Sequence, residues 1–384
     1  MHHRREFLKR FALFGTVAAL PIQNLFAEST LPPKPADDGL FTISHAAKIN
    51  QERTPRKITI PDVGEFKVLK GDFHIHTLFS DGLVMPADRV HEAVDNGLDV
   101  ISITDHIEYR PYLSKGALKF AENNDDHNAA YKVAMKEAEK NNLILVQGTE
   151  ITKKMMPPGH FNALFIRDAN AIAAVVDDWR KMLAVAVDQG GFVHWNHPGW
   201  VAPRSGGLAT GTPMSFSDAH EEVRAKGLIH GVEVFNAIEF YPIALDWCNE
   251  RDLAPFANTD IHASEWNTYG HHNPLRPTTL ILAKDRSYES VREAFFAKRT
   301  IGWAANMILG RQPWVEQLFR SSVEIKKIDS RLTLQNSSDI PCIIEANGQL
   351  SNLAAKGTME IDAAQTLTVS NWLVGMNRPL EIVP

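Results

Sequence analysis

The sequence predicts an α/β protein: a barrel of alternating strands and helices, followed by a small antiparallel β domain. Three observations predict it. From Val68 onward, short apolar runs alternate with longer amphipathic ones, which implies parallel strands joined by crossover helices. About seven such units occupy roughly 240 residues, which favours a closed barrel over an open sheet. After Arg311 the texture changes to short strands broken by polar turns.

The first 27 residues carry Arg4, Arg5, Lys9 and Arg10, then the apolar run Phe11–Ile22, and end on the small residue Ala27. A basic head, a short apolar middle and a small end residue make an export signal, here assigned to residues 1–27. The apolar run is shorter than the roughly 20 residues of a membrane span, and no later run is long enough either. The string Arg4-Arg5-Glu6-Phe7-Leu8-Lys9 resembles the twin-arginine signal, which exports folded proteins. By that route or by a Sec signal, the expected location is the periplasm. Residues 28–66 read as a linker and lead-in, rich in Pro, Ser and Asp at first and weakly alternating from Ile58.

The barrel domain is assigned to residues 67–312. Val68–Ile75 is its first strand, and Pro86–Asn96 is a helix with Pro in its first turn and Gly97 behind it. Val100–Thr104 is a strand, His127–Asn141 a helix, and Leu143–Gly148 and Phe161–Ile166 are strands. A helix over Ile172–Gln189 precedes the strand Phe192–Trp195. Strands at Val232–Phe235 and Pro255–Asn258 flank a helix around Ile243–Arg251, and Ser287–Lys298 is the last helix. The β domain, residues 313–384, carries strands at Val323–Ile328, Leu332–Asn336, Ile340–Ala346, Thr358–Ile361 and Thr366–Val369.

Composition narrows the function. A hydrophobic fraction of 44% with 22% charged residues excludes a coiled-coil rod and a largely disordered chain. Lys+Arg of 40 against Asp+Glu of 46 gives a net charge of −6, which argues against a nucleic-acid partner. Two cysteines, Cys248 and Cys342, exclude a disulfide scaffold and a Cys-rich zinc fold. The unusual feature is 16 histidines, whose placement follows the strands.

After the first strand come His74 and His76, with Asp81-Gly82 just beyond. Residues i and i+2 of an extended segment point the same way, so both rings reach one cation. Asp105-His106 follows the second strand, Glu150 ends the third, and His160 opens the next. His194-Trp195-Asn196-His197-Pro198 follows the fifth, and Asp260-Ile261-His262 the last. In an α/β barrel the strand ends share one face, where active sites are built. Imidazole and carboxylate donors suit Zn²⁺, Mn²⁺ or Fe²⁺.

The string Gly71-Asp72-Phe73-His74-Ile75-His76-Thr77-Leu78-Phe79-Ser80-Asp81-Gly82, with Ile103-Thr104-Asp105-His106, resembles the PHP (polymerase and histidinol phosphatase) superfamily. His197-Pro198, Asp260-Ile261-His262 and Arg299-Thr300 extend the resemblance over about residues 67–312. It implies a distorted (β/α)7 TIM-like barrel, two or three divalent metal ions and phosphoester hydrolysis. It implies ligand sets of His74, His76, Glu150 and Asp260; of Asp81, His106 and His262; and of Glu150, His160 and His197, with Glu150 shared. His194 is the alternative to His197, and Asp105 is expected to orient a neighbouring ligand. Some members carry His in place of Asp81.

The expected reaction is hydrolysis of a small phosphate ester, a monoester by preference, by a hydroxide bridging two metals. Glu150 and Asp260 are the expected catalytic carboxylates. Arg204, in a Gly-rich loop after His197-Pro198, is expected to contact phosphate. Glu233 and Asn236 are candidate supports behind the ligands, and His271, His272 or Arg276 a candidate general acid. The expected partner is a small phosphorylated substrate, and the sequence does not set an oligomeric state. Alternative readings are amidohydrolase-like cleavage of a non-phosphate ester or amide, a nuclease, and a metal-binding module without catalysis.

Overall fold

A computed structural model describes residues 55–114, 125–152, 159–200, 214–270 and 276–384. The segment expected to be an export signal, Arg204, His271 and His272 lie outside these residues. Strand β1 (Lys67–Asp72) is followed by α1 (Pro86–Asp95), whose Val90 and Ala93 face the core. The chain reverses after α1 at Gly97, with φ of 74°, where a Cβ would lie 2.2 Å from the Arg56 carbonyl oxygen; only glycine fits. Then come β2 (Val100–Ile103), α2 (Pro111–Ser114), α3 (Ala129–Lys140), β3 (Ile144–Thr152) and β4 (His160–Leu164). The helix expected over 172–189 is two helices, α4 (Ala169–Ala173) and α5 (Trp179–Asp188). Asp178 divides them, because its side chain caps α5 by accepting from Arg180 N and Lys181 N.

Strand β5 (Phe192–Trp195) leads to α6 (Asp218–Ala225), β6 (Gly231–Asn236), β7 (Glu239–Phe240), α7 (Pro242–Glu250) and β8 (Ala254–Asn258). They are followed by α8 (Glu265–Tyr269), β9 (Thr278–Ala283), α9 (Tyr288–Phe296), β10 (Thr300–Ala304), β11 (Met307–Gly310) and α10 (Gln312–Ser322). The chain ends in β12 (Val323–Ile328), β13 (Arg331–Asn336), β14 (Cys342–Ala346), β15 (Gln349–Leu353), β16 (Thr358–Asp362), β17 (Leu367–Gly375) and β18 (Arg378–Ile382).

Strands β1, β2 and β3 are parallel, as are β5, β6 and β8. Between the two groups stands β4, antiparallel to both β3 and β5. Just past β8, Ile261 bridges in parallel to Ile75 just past β1, and Asn258 Oδ1 accepts from Phe73 N at 3.1 Å. This contact brings the seventh strand back to the first, in the distorted (β/α)7 barrel of the expectation. One bridge completes the ring where the other neighbours share longer ladders, and one strand of the seven runs backwards.

Strands β9, β10 and β11 form an antiparallel meander that joins the barrel along β1. Across residue 313, where the β domain was expected to begin, the sheet continues: β11 pairs in parallel with β17, which carries β14 and β18. A three-stranded sheet, β12-β13-β16, completes the region. Leu280 and Ile301 of the meander share one apolar core with Phe319, Leu334 and Trp372. Residues 54–384 accordingly cluster as one unit. Among the described residues, no helix is long and apolar enough to cross a membrane.

Candidate metal centre

Beyond β1 the chain stays extended. The amide of His76 donates to the Ile261 carbonyl at 3.0 Å, and both His74 and His76 are fully buried. His74 Nε2 lies 3.2 Å from Asp260 Oδ1 and 3.4 Å from Glu150 Oε2. His76 Nε2 lies 3.0 and 3.3 Å from the same two oxygens. Yet His74 Nε2, His76 Nε2 and Glu150 Oε2 are buried and make no hydrogen bond. Burying polar atoms unpaired is costly, so three of them facing one point call for a common partner. Two imidazole nitrogens and carboxylate oxygens are a donor set that a divalent cation satisfies.

Supporting hydrogen bonds aim these donors. His74 Nδ1 donates to Glu233 Oε1 at 2.9 Å, which leaves the Nε2 lone pair for the centre. Glu233 also accepts from His197 N at 2.7 Å, Asn236 Nδ2 at 2.9 Å and Asn258 Nδ2 at 3.0 Å, tying together segments that follow or form β1, β5, β6 and β8. Two contributing residues hold left-handed backbone, His197 at φ 24° and Asp260 at φ 52°. Such conformations cost about 1–3 kcal/mol each for most residues and persist where the surroundings enforce them.

A second group forms around Asp81. Its Oδ1 lies 3.3 Å from His262 Nε2, 3.4 Å from His106 Nε2 and 3.6 Å from His76 Nδ1. His262 Nδ1 donates to the Asp260 carbonyl at 2.8 Å, again freeing Nε2. Asp105 shapes this turn by accepting from Thr77 N at 2.7 Å and Ser80 Oγ at 2.6 Å. Gly82 is required by close approach, since a Cβ there would lie 2.6 Å from the His76 carbonyl.

On the third side, His160 Nδ1 and Asn196 Nδ2 both meet Glu150 Oε1, at 3.0 and 3.1 Å. His197 Nε2 is 3.9 Å from Glu150 Oε1 and from Asp260 Oδ2. His160 opens its strand, and in an all-parallel barrel it would sit at the opposite end. The reversal of β4 brings it here, paired with Thr152 at the end of β3.

Donor atoms gather within 4.8 Å in three sets: His76, Asp81, His106 and His262; His74, Glu150 and His197; and His74, His76 and Asp260. They differ from the expected sets: His76 also joins the Asp81 group, Glu150 is grouped with His74 and His197 and not with His76 and Asp260, and His160 is in none of the three, though it contacts Glu150. His194 is elsewhere: its ring stacks on Phe256 at 4.7 Å, and its Nε2 is 3.8 Å from Glu233 Oε1, behind His74. The expectation for Arg276 is corrected. It is buried, bound to Glu265 at 2.6 Å and Asp72 at 2.8 Å, and a doubly paired guanidinium gives up no proton to a leaving group.

Burial pushes the His76 ring down to about 3, with the charges of His262 and His106 adding to it, so it stays a neutral donor at physiological pH. Burial works against the charged form of Glu150, but the facing His106 and His74 hold it well below the usual carboxylate range. Asp260 is held down against burial by His74 and His76.

Sequence reasoning missed Arg89. Its buried guanidinium donates to the carbonyls of His76 at 3.0 Å, Ala263 and His262 at 2.9 Å, and Ile261 at 3.2 Å. It clamps the segments that carry His76 and His262 together from behind. The available signal was an arginine inside the buried stripe of α1, beside Pro86, Val90 and Ala93.

Comparison with known proteins adds three findings. The family model described as PHP domain matches residues 72–194. Among solved structures, a two-domain protein from Bacteroides vulgatus containing a predicted PHP-like metal-dependent phosphoesterase is 30% identical, with a TM-score of 0.77 over 86% of this chain and 98% of that one. An amidohydrolase from Chromobacterium violaceum is 14% identical over 52% of this chain and 90% of its own, with a TM-score of 0.37. PsfC from Pseudomonas syringae is 15% identical over 62% and 92%, with a TM-score of 0.38. These last two carry no argument at that distance. No curated protein matches the sequence.

Proposed function

The chain belongs to the PHP superfamily, and from that membership we propose that it hydrolyses a small phosphate monoester at the cluster around Glu150. The observation that carries the reading is the trio of buried, unpartnered donor atoms, His74 Nε2, His76 Nε2 and Glu150 Oε2, facing one point beside Asp260. Two or three divalent ions, of Mn, Zn or Fe, are the proposed occupants.

His74, His76, Glu150 and Asp260 would hold one ion; Asp81, His106 and His262, with His76 beside them, a second; and Glu150, His160 and His197 a third. Ions so held would supply a water activated at neutral pH and positive charge for the phosphoryl oxygens. Glu150 lies between the sets and keeps them at fixed spacing. Asp260, whose side chain is 18% exposed, reaches the open side of the cluster, where it orients the attacking water. Glu233 and Arg89 hold the backbone and ring positions that this spacing needs. No Ser or Cys nucleophile is required. Arg204, outside the described residues, is proposed to contact the phosphate, and the periplasm is the proposed site of action.

The test is phosphate release by the mature protein loaded with Mn²⁺, across a panel of esters, beside the His76→Ala variant. The expected result is turnover in the parent and its near loss in the variant. Equal rates would remove the site from consideration. Release of a carboxylate with no phosphate would favour the amidohydrolase-like reading.

A further inference from the structure

The mouth of the centre is bordered by apolar side chains left in solvent. Tyr109 is 53% exposed and meets the His106 ring edge-on at 6.0 Å between centroids. Trp200 is 36% exposed and meets the His160 ring at 5.9 Å and the His197 ring at 4.9 Å. The His106 and His160 rings are themselves 6.3 Å apart, so the two aromatic groups flank one wall of ligand imidazoles. Leu83, 60% exposed, stands two residues past Asp81, and its amide donates to the His262 carbonyl at 2.7 Å. Ile238, 87% exposed, follows β6, and Trp266, 62% exposed, lies in α8. These two border one another's segments, because Tyr269 Oη donates to the Ala237 carbonyl at 3.4 Å.

Tyr109, Trp200 and Leu83 thus each present an exposed apolar group beside a segment carrying candidate ligands, with Ile238 and Trp266 on the segments that follow β6 and β8. Single exposed apolar residues are ordinary, but their concentration around a polar centre marks a binding surface.

We infer that the ester carries an apolar, preferably aromatic, alcohol, held at the rim by Tyr109 and Trp200 while its phosphate meets the ligand cluster. The inference rests on the phosphomonoesterase reading and narrows it to a substrate class.

The test uses non-hydrolysable phosphonates, so that leaving-group chemistry plays no part. Methylphosphonate, hexylphosphonate and 3-phenylpropylphosphonate are titrated calorimetrically into the full mature chain loaded with Mn²⁺. The expected result is a Kd that tightens at least about tenfold from methyl to phenylpropyl, since each buried methylene contributes a severalfold factor. In Trp200→Ala and Tyr109→Ala the ratio of the two Kd values shrinks. Ile238→Ser, at an exposed position, gives the same comparison should the first pair fold poorly. A Kd independent of chain length would overturn the inference and leave the phosphoesterase reading standing. Binding of 3-phenylpropanol as tightly as its phosphonate would also overturn it, by placing the apolar site away from the centre. If no phosphonate binds and no ester releases phosphate, the underlying reading fails and takes the inference with it.

Discussion

Glu150 and Asn371 are both buried polar residues, one in the barrel and one in the C-terminal β region, and they are treated in opposite ways. Asn371 is filled: it accepts from Ile343 N at 2.8 Å and donates to the Asn306 and Pro341 carbonyls at 2.7 and 3.0 Å. Glu150 keeps Oε2 without a hydrogen bond, beside the Nε2 atoms of His74 and His76, which also lack one. A saturated buried group joins strands and does nothing more. An unsaturated buried cluster waits for a ligand. Ser370 Oγ and Trp372 Nε1 beside Asn371 are also unpartnered, so what sets the Glu150 site apart is the clustering of such atoms among imidazoles and carboxylates.

The sharpest way to break the comparison is to exchange the consequences. Glu150→Ala should lower kcat/KM for phosphate release by about 10³-fold or more, because a shared ligand is lost, with a smaller change in the melting of the metal-free protein. Asn371→Ala should do the reverse. It strands an amide and two carbonyls, at a cost of about 3 kcal/mol read from the denaturant midpoint, with turnover per folded molecule preserved. If Asn371→Ala abolishes turnover in folded protein, the two regions are not separable.

Metal addition sharpens it next. At a free Mn²⁺ concentration of about 100 times Kd, the protein should gain about 2.7 kcal/mol per site, seen as a rise in Tm that a chelator reverses. Glu233→Gln should weaken Mn²⁺ binding by about 10–100-fold, since it loosens the His74 ring without removing a ligand. The smallest effect belongs to the exposed pair Arg331–Asp362 on the β12-β13-β16 sheet, where Arg331→Ala should cost at most about 1 kcal/mol and leave metal binding unaltered.

The strands carrying ligands were readable because each ends in a local, periodic signal. His74 and His76 need only an extended backbone to point together, and the Val100–Ile103 and Phe192–Trp195 runs are short, apolar and bounded. Strands β9, β10 and β11 were not read. Like β2 and β5 they are buried throughout and lack alternation, but no histidine motif follows them to mark their ends. The helix α10, at the expected boundary of the β domain, was also missed, although Pro313 sits in its first turn.

From sequence alone came the identity and order of the nine ligand candidates, the barrel class and the strand-rich tail. These depend on residue type and short spacing, which the chain carries locally. Tertiary structure decided the direction of β4, and with it whether His160 reaches the centre at all. It also decided that Arg89 would spend its charge on four carbonyls, that His194 would stay behind Glu233, and that the tail would share the barrel's sheet. Each of these outcomes depends on which distant backbone supplies the hydrogen-bond partner, and no window of neighbouring residues holds that information.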